Sequence, residues 1–178
     1  PLADPFRQLD EILPTPNGIR TAAGKPGHNY WQQRADYDID VELDDKNHKI
    51  IGSETISYTN NSPDELSYLW LQLDQNILSR SSERELISQG YISNPTNFER
   101  LNALVNREDY EGAIEIKSVT KRNDSPLDFQ IVGTMMKVSL PKVLKPDEQF
   151  ELSIDWQYEI NDTSLIWART GMEHFKED

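Results

Sequence analysis

Residues 37–60 read YDIDVELDDKNHKIIGSETISYTN, and this stretch decides the fold. In its first arm Tyr37, Ile39, Val41 and Leu43 alternate with Asp36, Asp38, Asp40 and Glu42, the period of two that marks a strand with one buried and one wet face. Asp44 to His48 supply a polar turn. Beyond it, Ile50, Glu54, Ile56 and Tyr58 interleave with Ile51, Ser53, Thr55, Ser57 and Thr59, a return strand rich in β-branched residues in which Gly52 suits a bulge or close packing. The whole reads as a β-hairpin.

Working outward, residues 66–73 (LSYLWLQL) are apolar on both faces, with Leu69, Leu71 and Leu73 opposite Tyr68 and Trp70, which predicts a strand in the middle of a packed sheet. Further strand signals lie at 113–119, 129–132 and 135–140, with the polar turn Arg122-Asn123-Asp124-Ser125-Pro126 among them. A Lys145-Pro146-Asp147-Glu148 turn then introduces an alternation in which Phe150, Leu152, Ile154, Trp156, Tyr158 and Ile160 form one face. In 79–111, Ser82-x-x-Glu85 and Thr96-x-x-Glu99 are capping boxes, and Phe98, Leu101, Leu104 and Val105 recur at helical spacing, so two short helices are expected there. Residues 1–35 read as an arm: Phe6, Leu9, Ile12 and Leu13 fit one amphipathic turn, and Pro14, Pro16, Asn17, Gly18, Gly24, Pro26 and Gly27 break regularity after it. The predicted fold is mainly β: an antiparallel β-sandwich or saddle-shaped sheet, with two short helices inserted and an irregular N-terminal arm. The division is an arm at 1–35 and a β-domain at 36–178. Its expected core is Tyr37, Ile39, Val41, Ile56, Tyr58, Leu69, Leu71, Phe150, Leu152, Ile154 and Trp156.

The 178 residues suit one domain, since a chain of about 150 residues buries roughly 70% of its unfolded surface. There is no cysteine, which removes thiolate metal sites and thiol nucleophiles and is silent on compartment. A formal charge of −13 repels a phosphate backbone, so no nucleic-acid partner is expected. No apolar run approaches the roughly 20 residues a membrane-spanning helix needs, so no membrane span is expected. The chain opens at Pro1 without a Met, as after removal of a leader or in a piece cut from a longer chain.

The residues that could carry chemistry have plainer readings beside them. Asp36, Asp38, Asp40, Glu42, Asp44 and Asp45 could be a calcium cluster, but strand side chains two apart lie nearly 7 Å apart on one face, and a solvated strand face is expected instead. His28, His48 and His174 provide no pair one helical turn apart, as zinc ligation on a helix requires. Ser57, Ser81 and Ser164 have no His partner nearby in sequence. Of the four tryptophans, Trp70 and Trp156 sit on apolar faces, leaving Trp31 and Trp167 as candidates for an aromatic platform. Asn60, Asn123 and Asn161 open glycosylation sequons.

Two stretches together resemble the N-terminal domain of the aminopeptidase N family of zinc metallopeptidases, the gluzincins. Residues 37–60 with 66–73 fit the family's Y-x-I-x-x-x-L-D, I-x-G-x-x-x-I-x-Y-x-N and L-x-L pattern. Residues 144–158, LKPDEQFELSIDWQY, are similar to its L-x-P-G-E-x-x-x-L-x-I-x-Y strand, with Asp147 where Gly is usual. Residues 13–37 resemble a bacterial subgroup, and 168–178 resemble the segment leading into the catalytic domain. The resemblance implies a domain that packs on the catalytic domain of the same polypeptide and walls one end of the substrate cleft. It implies a parent that removes N-terminal residues from peptides, with zinc as cofactor in that other domain. The bacterial likeness and the missing Met are expected of an exported protein, periplasmic or secreted. Neither His-Glu-x-x-His nor Gly-x-Met-Glu-Asn occurs in these residues, so no catalytic or metal residue is assigned here, and no substrate-binding one. Gly171-Met172-Glu173-His174 resembles the amino-terminus clamp only superficially, with the wrong spacing and no Asn.

A different class also fits: a free-standing acidic β-sandwich that binds a protein or glycan through edge strands or exposed aromatics. A third is a parent that keeps the architecture without its zinc ligands and serves as a scaffold. The first two differ in surface. A domain made to pack on another exposes an apolar patch larger than a monomer normally shows, and a complete module does not.

Overall fold

The structure, a computed structural model, describes residues 16–82, 98, 110–163, 168 and 170–173. Seven strands follow in order: β1 (Arg34–Asp44), β2 (Lys49–Thr59), β3 (Leu66–Gln72), β4 (Glu115–Lys121), β5 (Phe129–Val132), β6 (Met135–Leu144) and β7 (Gln149–Glu159). A single 3-10 turn, Asp74–Leu78, follows β3. The strands form a four-stranded sheet, β1-β2-β7-β4, and a three-stranded sheet, β3-β6-β5. Every pairing is antiparallel, as the mainly β sandwich reading predicts.

Local chemistry sets the turns. Between β1 and β2 the carboxylate of Asp44 accepts from the Asn47 backbone N–H at 3.0 Å and from its side-chain amide at 2.7 Å, an Asx-type turn that leaves His48 at φ 53°. Those bonds hold the Asp44 carboxyl below its ordinary range, the side-chain amide contributing most. Between β6 and β7, Asp147 takes the left-handed conformation at φ 63°, the geometry for which glycine is the default residue. The Glu148 carboxylate accepts from the Lys145 backbone N–H at 2.9 Å and closes that turn.

The register assigns the faces. Ile56 lies opposite both Tyr37 and Leu152, and Glu54 opposite both Ile39 and Ile154, so these residues share the inner face of the larger sheet. Ile56, Val119, Leu152 and Ile154 from that sheet pack with Leu69, Met136 and Val138 from the smaller one, and Leu73 and Leu127 close the cluster. The outer face is polar. There the hydroxyls of Thr55 and Ser153 lie 3.2 Å apart and Ser118 donates to Asp155 at 2.7 Å.

Ile56, Leu69, Leu152 and Ile154 are buried as expected, and Tyr58, Leu71, Phe150 and Trp156 are half-buried against them. The first strand departs from expectation. Tyr37, Ile39, Val41 and Leu43 are between 49% and 61% exposed, so the first three are not core. The covering sheet is one strand narrower, and β1, outermost in its own sheet, extends beyond it. The second correction concerns β3, which is an edge strand. Leu69 and Leu73 point inward, but Tyr68 and Trp70 are exposed on the outer face, because nothing among the described residues lies over it. Gly52 is a site of close packing and not a bulge, as the β1–β2–β7 register runs unbroken through it. β6 continues to Leu144, beyond the 135–140 expected, through Pro141. The ladder with β3 shifts there, between Leu66 and Tyr68, which is how a proline is accommodated within a sheet.

The arm's residues 16–33 form turns around one bridge between Arg20 and Pro26, and β1 begins at Arg34, two residues ahead of the expected boundary. The amphipathic turn of residues 6–13, nearly all of the two expected helices and, apart from Ser82, the residues of both capping pairs fall outside the described residues.

Candidate functional site

β1 owes its exposure to strand order and its character to alternation. Its inner face carries Tyr37, Ile39, Val41 and Leu43, and its outer face carries Asp36, Asp38, Asp40 and Glu42, all exposed. Arg34 pairs with Asp36 at 2.9 Å. Asp38, Asp40 and Glu42 have no hydrogen-bond or ion-pair partner among the described residues. The acids therefore form the solvated row their spacing predicts. Among the described residues no group of three or more His, Cys, Asp or Glu is placed to hold a metal ion.

Beside β1 the inner face opens into a cleft of about 270 Å³ between the sheets, bordered by Tyr37, Glu54, Trp70, Leu71, Ile116 and Trp156. Glu54 is the one carboxylate on that border. It has no hydrogen-bond or ion-pair partner among the described residues, and burial pushes its carboxyl above the ordinary value. The neighbouring indole of Trp156 stacks on the Tyr158 ring, with centroids 6.1 Å apart and planes within 14°. An apolar surface that holds one half-buried, unpaired carboxylate suits a partner that brings apolar side chains and positive charge together.

The remaining candidates are placed as follows. His28 lies in the arm and His48 in the β1–β2 turn, and they do not come together. Ser57 sits on the sheet's outer face, and the Ser81 hydroxyl lies 3.0 Å from that of Ser79. Ser164, Trp167 and His174 are outside the described residues. Trp31 borders a shallow groove with Ile19, Asn29 and the Asn61–Pro63 loop. Trp70, expected on an apolar face and so set aside as a platform candidate, is 51% exposed and meets Tyr68 edge to face at 6.2 Å. Lys137 stands 4.3 Å over the Tyr68 ring. Met172 of the clamp-like segment is tied by its backbone to Asn161 at 2.9 Å and Thr163 at 3.1 Å, a structural engagement.

Sequence reasoning passed over the buried asparagines as anything but sequons. Asn60 and Asn161 are fully buried, which removes both from glycosylation and leaves Asn123 as the exposed sequon among those described. Asn60 is a junction. Its amide donates to the carbonyls of Asp64 at 2.8 Å and Leu144 at 3.1 Å, and its oxygen accepts from Gln33 at 3.0 Å and the Ser62 hydroxyl at 2.7 Å. It thereby joins the arm, the β2–β3 loop and the end of β6. Asn76 does the same at the other end, donating to Gly133 at 3.1 Å and accepting from the Ile114 N–H at 2.8 Å. Its position just inside a polar turn was the only available signal. Nearby, Tyr110 donates to the Glu159 carbonyl at 2.9 Å, and burial pushes its phenol up to about 12.

No family model matches the chain, and no curated protein does. Among solved structures it is similar to a mutant M1 zinc metallopeptidase from Deinococcus radiodurans bound to a Tyr-Ser-Ala substrate, with a TM-score of 0.44 and 13% sequence identity. The match covers 78% of this chain and 23% of that one, so this chain spans under a quarter of that protein's length.

Proposed function

We propose that this chain is the non-catalytic N-terminal domain of a zinc-dependent, aminopeptidase-like metallopeptidase. In this reading it packs on the catalytic domain through the inner face of β1 and walls one end of the substrate cleft. The observation that carries the reading is the uncovered row Tyr37, Ile39, Val41 and Leu43. A strand in a complete module would turn such a row to its own core, and a contiguous apolar strip left in water marks an interaction surface. The family pattern in residues 37–60, 66–73 and 144–158 supplies the identity of the missing cover. The parent would hydrolyse N-terminal residues from peptides, and zinc in its catalytic domain would supply Lewis-acid chemistry there. In this reading the chain's own part is to bind and to shape.

Reading the frame beyond the codon for Asp178 tests the proposal. It should encode Gly-x-Met-Glu-Asn and then His-Glu-x-x-His with a downstream Glu, and the full product should bind zinc and release amino acids from aminoacyl anilides. A stop codon, or a downstream domain without those ligands, would instead support the free-standing binding module for protein or glycan.

A further inference from the structure

We propose that the open edge of β1 accepts, as a fifth strand of the larger sheet, an extended polypeptide segment in which apolar residues alternate with Lys or Arg. Four strands stand at sheet edges among the described residues: β1, β4, β3 and β5. Three of them are blunted. The ladders of β4 and β3 break at a register shift, and β5 has four residues. β1 alone is long and regular, paired with β2 without a shift from Arg34 to Asp44, and alternate residues along its other side present backbone N–H and C=O groups with no neighbouring strand among the described residues. Such an edge is a template for strand addition.

The side chains specify the addition. On the inner face a new strand would lie beside Tyr37, Ile39, Val41 and Leu43, and its apolar residues would extend the face that the smaller sheet does not reach. On the outer face the same strand would meet Asp36, Asp38, Asp40 and Glu42, where opposite charges directly across a pair attract and like charges repel. A second copy of this chain is the wrong occupant, because pairing apolar row with apolar row sets acid against acid. Acids on an edge also serve to discourage pairing altogether. That role explains the outer row, but an edge meant to stay empty has no use for four exposed apolar side chains on its inner side. The two rows together describe selection of a basic partner over an acidic one, and the charge of −13 steers such a partner in.

This inference takes from the proposed function only that the β1 face is covered in the assembled protein. The test uses the 178-residue chain and two capped octapeptides, Lys-Val-Lys-Ile-Lys-Val-Lys-Val and the same peptide with Glu at every Lys. The lysine peptide should bind by calorimetry, protect β1 amides from hydrogen exchange and weaken as salt is raised. The glutamate peptide should not bind. The double variant Asp38→Lys/Asp40→Lys, altered only at exposed positions, should lose at least about tenfold in affinity for the lysine peptide and gain affinity for the other. Equal binding of both peptides, protection outside β1, or no binding would overturn the inference, as would dimerisation through β1 without peptide. A stop codon after Asp178 with peptide binding intact would sink the peptidase reading alone. Zinc motifs downstream with no peptide binding would sink the edge alone.

Discussion

The indole of Trp156 lies across Gly52 on the neighbouring strand, so close that a methyl built on the glycine would stand 2.3 Å from the ring's Cζ2. The two residues are direct cross-strand partners between β2 and β7. An aromatic ring laid over a strand glycine covers backbone that would otherwise be bare and replaces the packing the glycine cannot supply.

Gly52→Ala should therefore be destabilising although alanine is the better residue for a strand. No rotation of the methyl relieves the contact, and the indole must leave its place over β2 and beside Tyr158. Overpacking of this kind costs about 1 to 3 kcal/mol. Urea unfolding followed by tryptophan fluorescence would report it, and an unchanged midpoint would mean that the ring has room to move.

Glu54 predicts a stability change of the opposite sign. Its carboxyl is half-buried without a partner among the described residues, and replacement by Leu should stabilise the isolated chain at neutral pH by about 1 kcal/mol, the low end of the cost of burying an unpaired polar group. The pH dependence follows from the raised folded value. The folded state holds the proton more tightly than the unfolded chain, whose carboxyl titrates near 4.5. That contribution is fully present below 4.5 and is lost as pH rises through the folded value. Glu54→Gln should remove this part of the profile, and a wild-type minus variant difference flat with pH would contradict the burial of the charge.

Asn60→Ala should cost about 3 kcal/mol, since the buried carbonyls and donors around it lose their partners together. Because Gln33 loses its bond to Asn60 and keeps, among the described residues, only the one its oxygen accepts from the Asn61 N–H at 2.7 Å, hydrogen exchange in residues 20–33 should rise along with the loss of global stability. A variant that loses stability without that local change would show that the arm is held elsewhere.

Val41→Thr addresses the exposed row. It keeps the β-branched shape and should change the stability of the isolated chain by less than about 0.5 kcal/mol, as surface substitutions do. If the chain belongs to the proposed peptidase, the same change in that full protein should weaken docking of this domain, read as earlier proteolytic release or a lower unfolding temperature. Equal behaviour of the two proteins would argue that β1 stays open to water.

Much of the fold was legible in the chain because it rests on neighbours in sequence. The alternation of 37–43 and 150–160 gave the strands, and Asp44 with Asn47 gave the turn between β1 and β2. The Lys145-Pro146-Asp147-Glu148 turn was equally visible, including the tolerance for positive φ that Asp147 uses. The buried asparagines were not legible. A polar residue at a strand end looks the same whether it faces water or ties together loops 27 and 84 positions away, as Asn60 does with Gln33 and Leu144.

The sequence by itself determined that β1 has an apolar side and an acidic side, since side chains alternate across any strand. Only the tertiary structure decided that the apolar side is open. Whether a face is buried depends on how many strands lie opposite and in what order they pair, and those are contacts between residues distant in the chain. The same dependence turned Trp70 outward and made β3 an edge. It left Tyr37, Ile39, Val41 and Leu43, as apolar as any residues of the core, on the surface where a partner could reach them.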